Sequence, residues 1–427
     1  TKGTRLVYAK GYTYGEPSPT YPDVMPTTVF RQASVSKTFA AVAMWKLIQQ
    51  GSATLNTKVQ VVLNLNQPDG SAPKDSRWAD IRIRHLLEST SGIKQGLIWW
   101  GGEAVKAFGG QFPVTHQQLA RYATTHDLTG SPGDANNVSY GNFDYFLLGL
   151  VIAKLAGTTT FEQALNNLVL MPLGMTKTRQ SRTLITAQAS DEARHHMRVF
   201  EPKKGWPLFP LQIGSSVKGS GTVPAHYGAW DYELLDGCGG LSSSVVDVAR
   251  LVAMFNDRSA NPVLNSTTLD SLFDNAVNAT NSLDTPDVAD PKDKAPAHGY
   301  HGFDGATAVD AAKHVYRASK GGWLPGQGTE VIFRTGGYGF ILAQNGNLGE
   351  VVKTEWLDPV NKAAKAQAWG PEDLFTDYGM TPLSPSVGFA EAPDELSVEV
   401  TGQRPMSRVA DSLARQAPAR IRISVSK

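Results

Sequence analysis

The chain is poor in cysteine: its 427 residues include one, Cys238. That excludes an internal disulfide framework and any cysteine-built zinc or iron–sulfur centre. Neither charge is in excess, with 40 Lys+Arg against 39 Asp+Glu and a formal net charge of +1. Such a balance leaves no electrostatic footprint for nucleic acid or an acidic membrane face, so neither is expected as a partner. Long apolar runs are missing as well. The densest, residues 39–45, falls far short of the roughly 20 residues that span a bilayer. No Gly-x-Ser-x-Gly and no His-Glu-x-x-His occurs, which counts against an α/β-hydrolase elbow and a zincin site. The histidine clusters are His195-His196, beside Arg194, and His298 with His301, in a Gly-containing stretch. Both read as surface or loop residues. There is no internal repeat, no low-complexity segment and no visible signal peptide. The opening Thr1-Lys2-Gly3 reads as a processed or truncated start. An export signal before it would make the protein exported or periplasmic; otherwise it would be cytoplasmic.

What is present is an ordinary globular composition. Forty-one per cent of residues are apolar, enough for a sizeable core in one large domain or two to three smaller ones. Gly and Pro number 41 and 25, so loops are plentiful. Residues 5–14 read as a strand. A helix fits 34–50, closed by Gly51 where a left-handed cap is favoured. Helical pieces follow at 83–87, 143–155, 161–170 and 245–255. Then 313–318, 329–333 and 339–344 turn to short Val/Ile/Phe/Tyr segments broken by glycine, which is hairpin texture. This order suggests a sheet-containing part from 1–55 and 312–356, with a mostly helical part, 56–311, inserted. A cleft between such parts is a favoured place for a small-molecule site. Beyond 357, a helix fits 361–369, and the rest forms an extension of unassigned role.

Ser34-Val35-Ser36-Lys37 is a Ser-x-x-Lys, a pattern repeated at Ser71/Lys74, Ser91/Lys94, Ser215/Lys218 and Ser424/Lys427. Context separates the first copy. It opens a stretch whose Phe39, Val42, Met44, Trp45, Leu47 and Ile48 leave few polar positions, the mark of a buried helix. Ser34 then sits where free backbone N–H groups favour developing negative charge. Lys37 follows one turn on, and burial is how a lysine becomes a usable base. The segment alone also fits a capping serine and a lysine reaching for solvent. Tyr140-Gly141-Asn142 lies between a Gly/Pro loop and an apolar helix, where the phenol can relay a proton and the amide can bind substrate. Lys320-Gly321-Gly322-Trp323 enters the hairpin region, and its glycines permit close backbone approach. Trp99-Trp100 follow a Thr-Ser-Gly turn and are candidates for an apolar subsite.

Ser-x-x-Lys, Tyr-x-Asn and Lys-x-Gly in that order resemble the serine β-lactamase/penicillin-binding-protein superfamily, in particular its class C β-lactamase and family VIII carboxylesterase branch. Thr28–Ala33, Ile83–Ile93 (with Glu88 in place of a usual histidine), Met171–Met175, Gly239–Ser243 and Asp247–Arg250 are similar to family stretches. The resemblance runs from about residue 5 to 345. It implies an α/β (α+β) fold, an antiparallel sheet flanked by helices plus a mostly helical domain, with the active site between them. It also implies Ser34 as acylated nucleophile, Lys37 and Tyr140 sharing proton transfer, and Asn142 and Lys320 orienting substrate. The backbone N–H groups of Ser34 and Trp323 would form the oxyanion hole. No metal or other cofactor is required. The expected partner is a small ester or amide. Four departures stand out: the family's first helix and strand are missing, Gly321 replaces a hydroxyl residue, Trp323 replaces a small one, and the tail has no counterpart. The second and third favour a serine esterase. A β-lactamase or D-amino-acid peptidase/amidase is the alternative, with a non-catalytic scaffold or an acyltransferase behind it.

Overall fold

Two helices that are apolar on nearly every side organise the core. The computed structural model of the chain describes residues 1–13, 23–196, 212–256, 261–274, 297–299, 305–309, 315–334, 337–346, 360 and 362–383. These belong to one compact unit, Thr1–Phe389. Helix Ser36–Gln49 is buried along almost its whole length, with Phe39, Val42 and Met44 fully inside. Helix Asn142–Leu155 is the same, through Phe143, Phe146, Leu148 and Ile152. Helices apolar all round must be covered on every face, and these two pack on each other at the centre. Gly51, at φ +77°, ends the first helix in the left-handed conformation expected of it.

The loop Asp236–Cys238 wedges against that crossing. A Cβ at Gly237 would come within 2.7 Å of the Ala40 Cβ on one helix and 3.2 Å of the Tyr145 carbonyl oxygen on the other. Glycine is therefore what lets the loop lie this deep.

The strands are β1 (Val29–Arg31), β2 (Arg179–Gln180), β3 (Gln212–Gly214), β4 (Thr222–Pro224), β5 (Leu241–Ser244), β6 (Ala297–Gly299), β7 (Gly305–Val309), β8 (Val315–Leu324), β9 (Gln327–Arg334) and β10 (Phe340–Gln344). They form three antiparallel sheets, ordered β1-β5-β2, β3-β4 and β10-β9-β8-β7-β6. β8 and β9 are joined by the two-residue turn Pro325-Gly326, with Gly326 at φ +79°. Proline before a positive-φ glycine is the type II turn combination. Helix Val245–Asn256 lies against β9 and β10.

Several expectations are corrected. No strand forms over 5–13, the described part of the expected strand 5–14, and the backbone of Leu6 is committed elsewhere. Leu6 N–H donates to Asp373 Oδ1 at 3.0 Å, and the Leu6 carbonyl accepts from Leu374 N–H at 2.9 Å. It is Thr1–Gly3 that pairs with Gly337–Gly339, ahead of β10. The helix at 161–170 changes from α to π winding at Asn166. β8 extends past the expected 318 to Leu324, which carries the Lys-Gly-Gly-Trp segment into the sheet. Part of the presumed extension belongs to the core: Phe375 is fully buried under the Arg250 guanidinium, 5.0 Å from its ring centroid.

Gly237→Ala should lower stability by about 1–3 kcal/mol through overpacking at the helix crossing. Gly96→Ala, where a Cβ meets nothing within 4 Å, should stay within about 0.5 kcal/mol of wild type. Thermal melting of both variants checks this; equal melting temperatures would refute the wedge.

Candidate active site

β1 runs into a tight 3-10 turn, Ala33–Val35, that leads directly into helix Ser36–Gln49. Ala33 takes φ +47°, a costly conformation for a residue with a Cβ. The turn is clamped to β5: Gln32 N–H donates to the Leu241 carbonyl at 2.7 Å, and Leu241 N–H donates to Ser36 Oγ at 3.1 Å. Gln32 Nε2 adds bonds to the Phe30 and Ser243 carbonyls. The result places half-buried Ser34 at the rim and Lys37 fully inside.

Lys37 Nζ donates to Ser34 Oγ at 3.3 Å, to Asn142 Oδ1 at 2.9 Å and to the Cys238 carbonyl at 2.8 Å. It also stands 4.7 Å from the Tyr140 ring centroid. Lys320 Nζ donates to Tyr140 Oη at 2.9 Å and lies 4.7 Å from the same ring centroid. Two lysine nitrogens thus flank one tyrosine ring, and Lys320 is only 4% exposed. Residues distant in sequence converge here: Ser34, Lys37, Tyr140, Asn142 and Lys320. Asn142 spends its carbonyl oxygen on Lys37, which leaves its amide nitrogen to meet a substrate.

Tyr140 is held by the segment below it. Ser139 N–H donates to the Ser89 carbonyl at 3.1 Å, and a Cβ at Gly141 would lie 2.5 Å from Ser89 Oγ. Ser91 Oγ donates to the buried Asp144 carboxylate at 2.5 Å. Glu88 faces Arg84 at 3.7 Å.

β8 closes the other side. A Cβ at Gly322 would fall 2.2 Å from the Gln32 carbonyl oxygen and 3.2 Å from the amide nitrogens of Ser34 and Val35. The strand backbone abuts the serine turn, with Trp323 the next residue along. A Cβ at Gly321 would lie 2.9 Å from Glu330 Oε2, its cross-strand neighbour. An acidic oxygen occupies the space that a hydroxyl side chain at 321 would need.

The two tryptophans part company. Trp99 lines a cavity of about 80 Å³ together with Phe112, Trp230 and Leu235. Trp100 is not among the lining residues; it packs edge-on against His126 at 5.4 Å. Sequence reasoning missed the Cys238 carbonyl, whose only signal was the surrounding Gly237, Gly239 and Gly240. The Cys238 thiol itself is pushed up to about 12 by burial and is unsuited to nucleophilic work. Among the described residues, no cluster of three or more His, Cys, Asp and Glu could hold a metal ion, and no helix is long and apolar enough to cross a membrane.

A buried polar layer underlies β1. Arg31 is fully enclosed, 3.8 Å from the Tyr232 ring centroid, and donates to the His226 and Arg182 carbonyls. Glu192 approaches Arg31 Nε at 3.8 Å and His195 Nε2 at 3.5 Å. His195 is therefore a core residue, contrary to its expected surface position, while His196 is exposed. The reason is local: His195 N–H donates to Tyr227 Oη at 2.7 Å, and Gly326 packs over both His195 and His226. The side chain of His298 and all of His301 lie outside the described residues.

A family model for beta-lactamases matches residues 1–362. The chain belongs to that family. Curated relatives include Protein flp of Staphylococcus aureus, 28% identical over 43% of this chain and 34% of its own length. Penicillin-binding protein 4* of Bacillus subtilis is 24% identical over 42% of this chain and 36% of its own length. The chain thus spans about a third of the length of these relatives. Among solved structures, the D-amino acid amidase of Ochrobactrum anthropi with L-phenylalanine has a TM-score of 0.54 at 18% identity, over 81% of this chain and 86% of that one. EstCE1, a hydrolase with promiscuous acyltransferase activity, gives 0.52 at 22%, over 76% and 81%. At these identities the structures share the beta-lactamase fold, an α/β arrangement of helices and antiparallel sheets.

The histidines of the buried layer carry a pH consequence. Burial, aided by Arg31, lowers His226 from 6.5 to about 4, and His195 is held well below its usual value by burial and the same guanidinium. Below pH 6.5 the unfolded chain takes up protons that the native state refuses, so stability falls as pH drops toward 4. His226→Gln should make that acid-side loss shallower in melting temperature against pH. An unchanged slope between pH 6.5 and 4 would rule His226 out.

Proposed function

We propose that the protein is a serine hydrolase that cleaves carboxylic esters through an acyl-enzyme on Ser34. The observation that carries this reading is the contact of buried Lys37 Nζ with Ser34 Oγ, beside Tyr140. A hydroxyl becomes a nucleophile when a group within hydrogen-bond reach can take its proton. Ser34 Oγ would attack the ester carbonyl while its proton passes to the Lys37/Tyr140 pair. The oxyanion would be met by the Ser34 and Trp323 N–H groups, supported by the close seat of Gly322 on the serine turn. Collapse expels the alcohol, which takes up the proton. Water then adds to the acyl-enzyme, releasing the carboxylic acid and restoring Ser34. Trp99, Trp230 and Phe112 offer an apolar place for one arm of the ester.

The ester preference rests on Gly321 and Glu330. A substrate carboxylate, as on β-lactams and peptides, would find no hydroxyl donor at 321 and a carboxylate nearby. Gly321→Thr alone should leave a chromogenic cephalosporin unturned, whereas Gly321→Thr with Glu330→Gln should show measurable turnover. A gain from the single variant equal to the double would discard the role given to Glu330.

Hydrolysis of nitrophenyl butyrate by wild type, Ser34→Ala, Lys37→Ala and Tyr140→Phe tests the main proposal. Ser34→Ala should abolish turnover, and each proton-transfer variant should lose roughly 10²–10⁴ in rate. Full activity in Ser34→Ala would end it. Product analysis with an added alcohol would reveal acyl transfer as a competing fate.

A further inference from the structure

The aromatic cavity carries a charge that ester hydrolysis as such does not use. Asp231 lines it with Trp99, Trp230, Phe112 and Leu235. Asp231 is only 9% exposed. Its Oδ1 accepts from Leu234 N–H at 3.3 Å and Thr183 Oγ1 at 3.4 Å. Among the described residues no lysine or arginine forms an ion pair with it. The charged groups that face it are the Glu233 carboxylate and His116, and His116 is itself committed to Asp236 at 2.9 Å. Burial first, and Glu233 second, push the Asp231 carboxyl up to about 6. A carboxylate so placed gains most from a cation brought by a ligand.

The rings around it favour the same ligand. Trp99 meets Trp230 edge-on, with centroids 5.6 Å apart. Trp99 is 43% exposed, so this wall lies at the protein surface. Tryptophan faces are the best aromatic partners for ammonium groups, above all quaternary ones. At about 80 Å³ the cavity is roughly half the size of one that admits benzene, and a trimethylammonium head is about as large as benzene, so the head would be held at the open mouth beside Trp99 rather than enclosed.

One lining residue, Leu235, reaches toward the turn that carries Ser34. Leu235 Cδ1 and the Ala33 carbonyl carbon lie 3.4 and 3.8 Å from one point, the site of a Cβ on Gly239. Gln95 Oε1, at the start of the turn that carries Trp99, accepts from the N–H groups of Phe143 and Asp144, which ties that turn to the helix bearing Asn142.

We propose that this cavity is a cation subsite, in which Asp231 and the Trp99/Trp230 pair bind an alkylammonium group of the substrate. The inference rests on the ester-hydrolase reading and narrows it to esters bearing a compact organic cation. The cation can sit on the alcohol or on the acyl side, and charge-matched pairs separate the two. Butyrylcholine against 3,3-dimethylbutyl butyrate places it on the alcohol. Nitrophenyl 4-(trimethylammonio)butanoate against nitrophenyl 5,5-dimethylhexanoate places it on the acyl group.

In one of these pairs kcat/KM should favour the cationic ester by roughly tenfold or more. In Asp231→Asn, which can still accept from Leu234 N–H, that ratio should fall close to one. Trp99→Ala, at a partly exposed position, should reduce the ratio several-fold and guards against a folding defect in the first variant. No preference in either pair, or a ratio unchanged by Asp231→Asn, overturns the subsite. If no ester of any charge is cleaved, the hydrolase reading fails separately. Calorimetric titration of Ser34→Ala with tetramethylammonium then decides the subsite: heat lost on adding Asp231→Asn supports it, and absent or unchanged heat overturns it.

Discussion

The Lys37 side-chain nitrogen, enclosed and within hydrogen-bond distance of three oxygens from three separate parts of the chain, is the constraint on which the site depends. Burying a polar nitrogen without partners costs free energy, so each partner must be delivered with good geometry. Ser34 Oγ comes from the 3-10 turn, Asn142 Oδ1 from the first residue of the second central helix, and the Cys238 carbonyl from the loop at the helix crossing. That nitrogen can be accommodated only where those three elements meet. The same packing that buries the apolar helices therefore fixes the polar centre.

Close backbone approach does the rest. Gly237 lets its loop reach the crossing, and Gly322 lets β8 lie against the serine turn. A methyl group at either position would meet neighbouring atoms below ordinary contact distance, so the carbonyl beneath Lys37 and the strand beside Ser34 are placed by absent side chains. The buried layer around Arg31 supports the turn from behind. Its guanidinium stacks on Tyr232, and the Arg31 carbonyl accepts from Thr329 Oγ1 of β9 at 3.2 Å. Strand, turn and hairpin are thereby joined under Ser34.

The surroundings of this centre differ in character on its two sides. Toward β9, Gly321 and Glu330 present an open, acidic edge. Toward the Trp99 turn, the wall is aromatic with Asp231 set into it. Lys320 itself is engaged with Tyr140. That asymmetry separates an ester-directed reading from a β-lactam-directed one more than the shared Ser-Lys-Tyr geometry does.

Much of this was legible in the sequence. The apolar saturation of 36–49 and 142–155 dictates buried helices wherever they occur, because no polar face is available to solvent. Ser34, Lys37, Tyr140, Asn142 and Lys320 could be singled out because their motifs sit at element starts or beside glycines. Other features were decided by tertiary structure alone. Residues 5–13 have strand texture, yet their hydrogen bonds go to residues near 373, a partner no local pattern reveals. His195 looked like a loop residue until Tyr227 and the Pro325-Gly326 turn closed over it. Trp99 and Trp100 are chemically alike and adjacent, and only the direction of the chain sends one to the cavity and the other to His126. The Cys238 carbonyl is a backbone atom, and backbone atoms carry no sequence signature. Local composition fixes which segments must be buried; which polar groups then meet depends on contacts between segments a hundred or more residues apart.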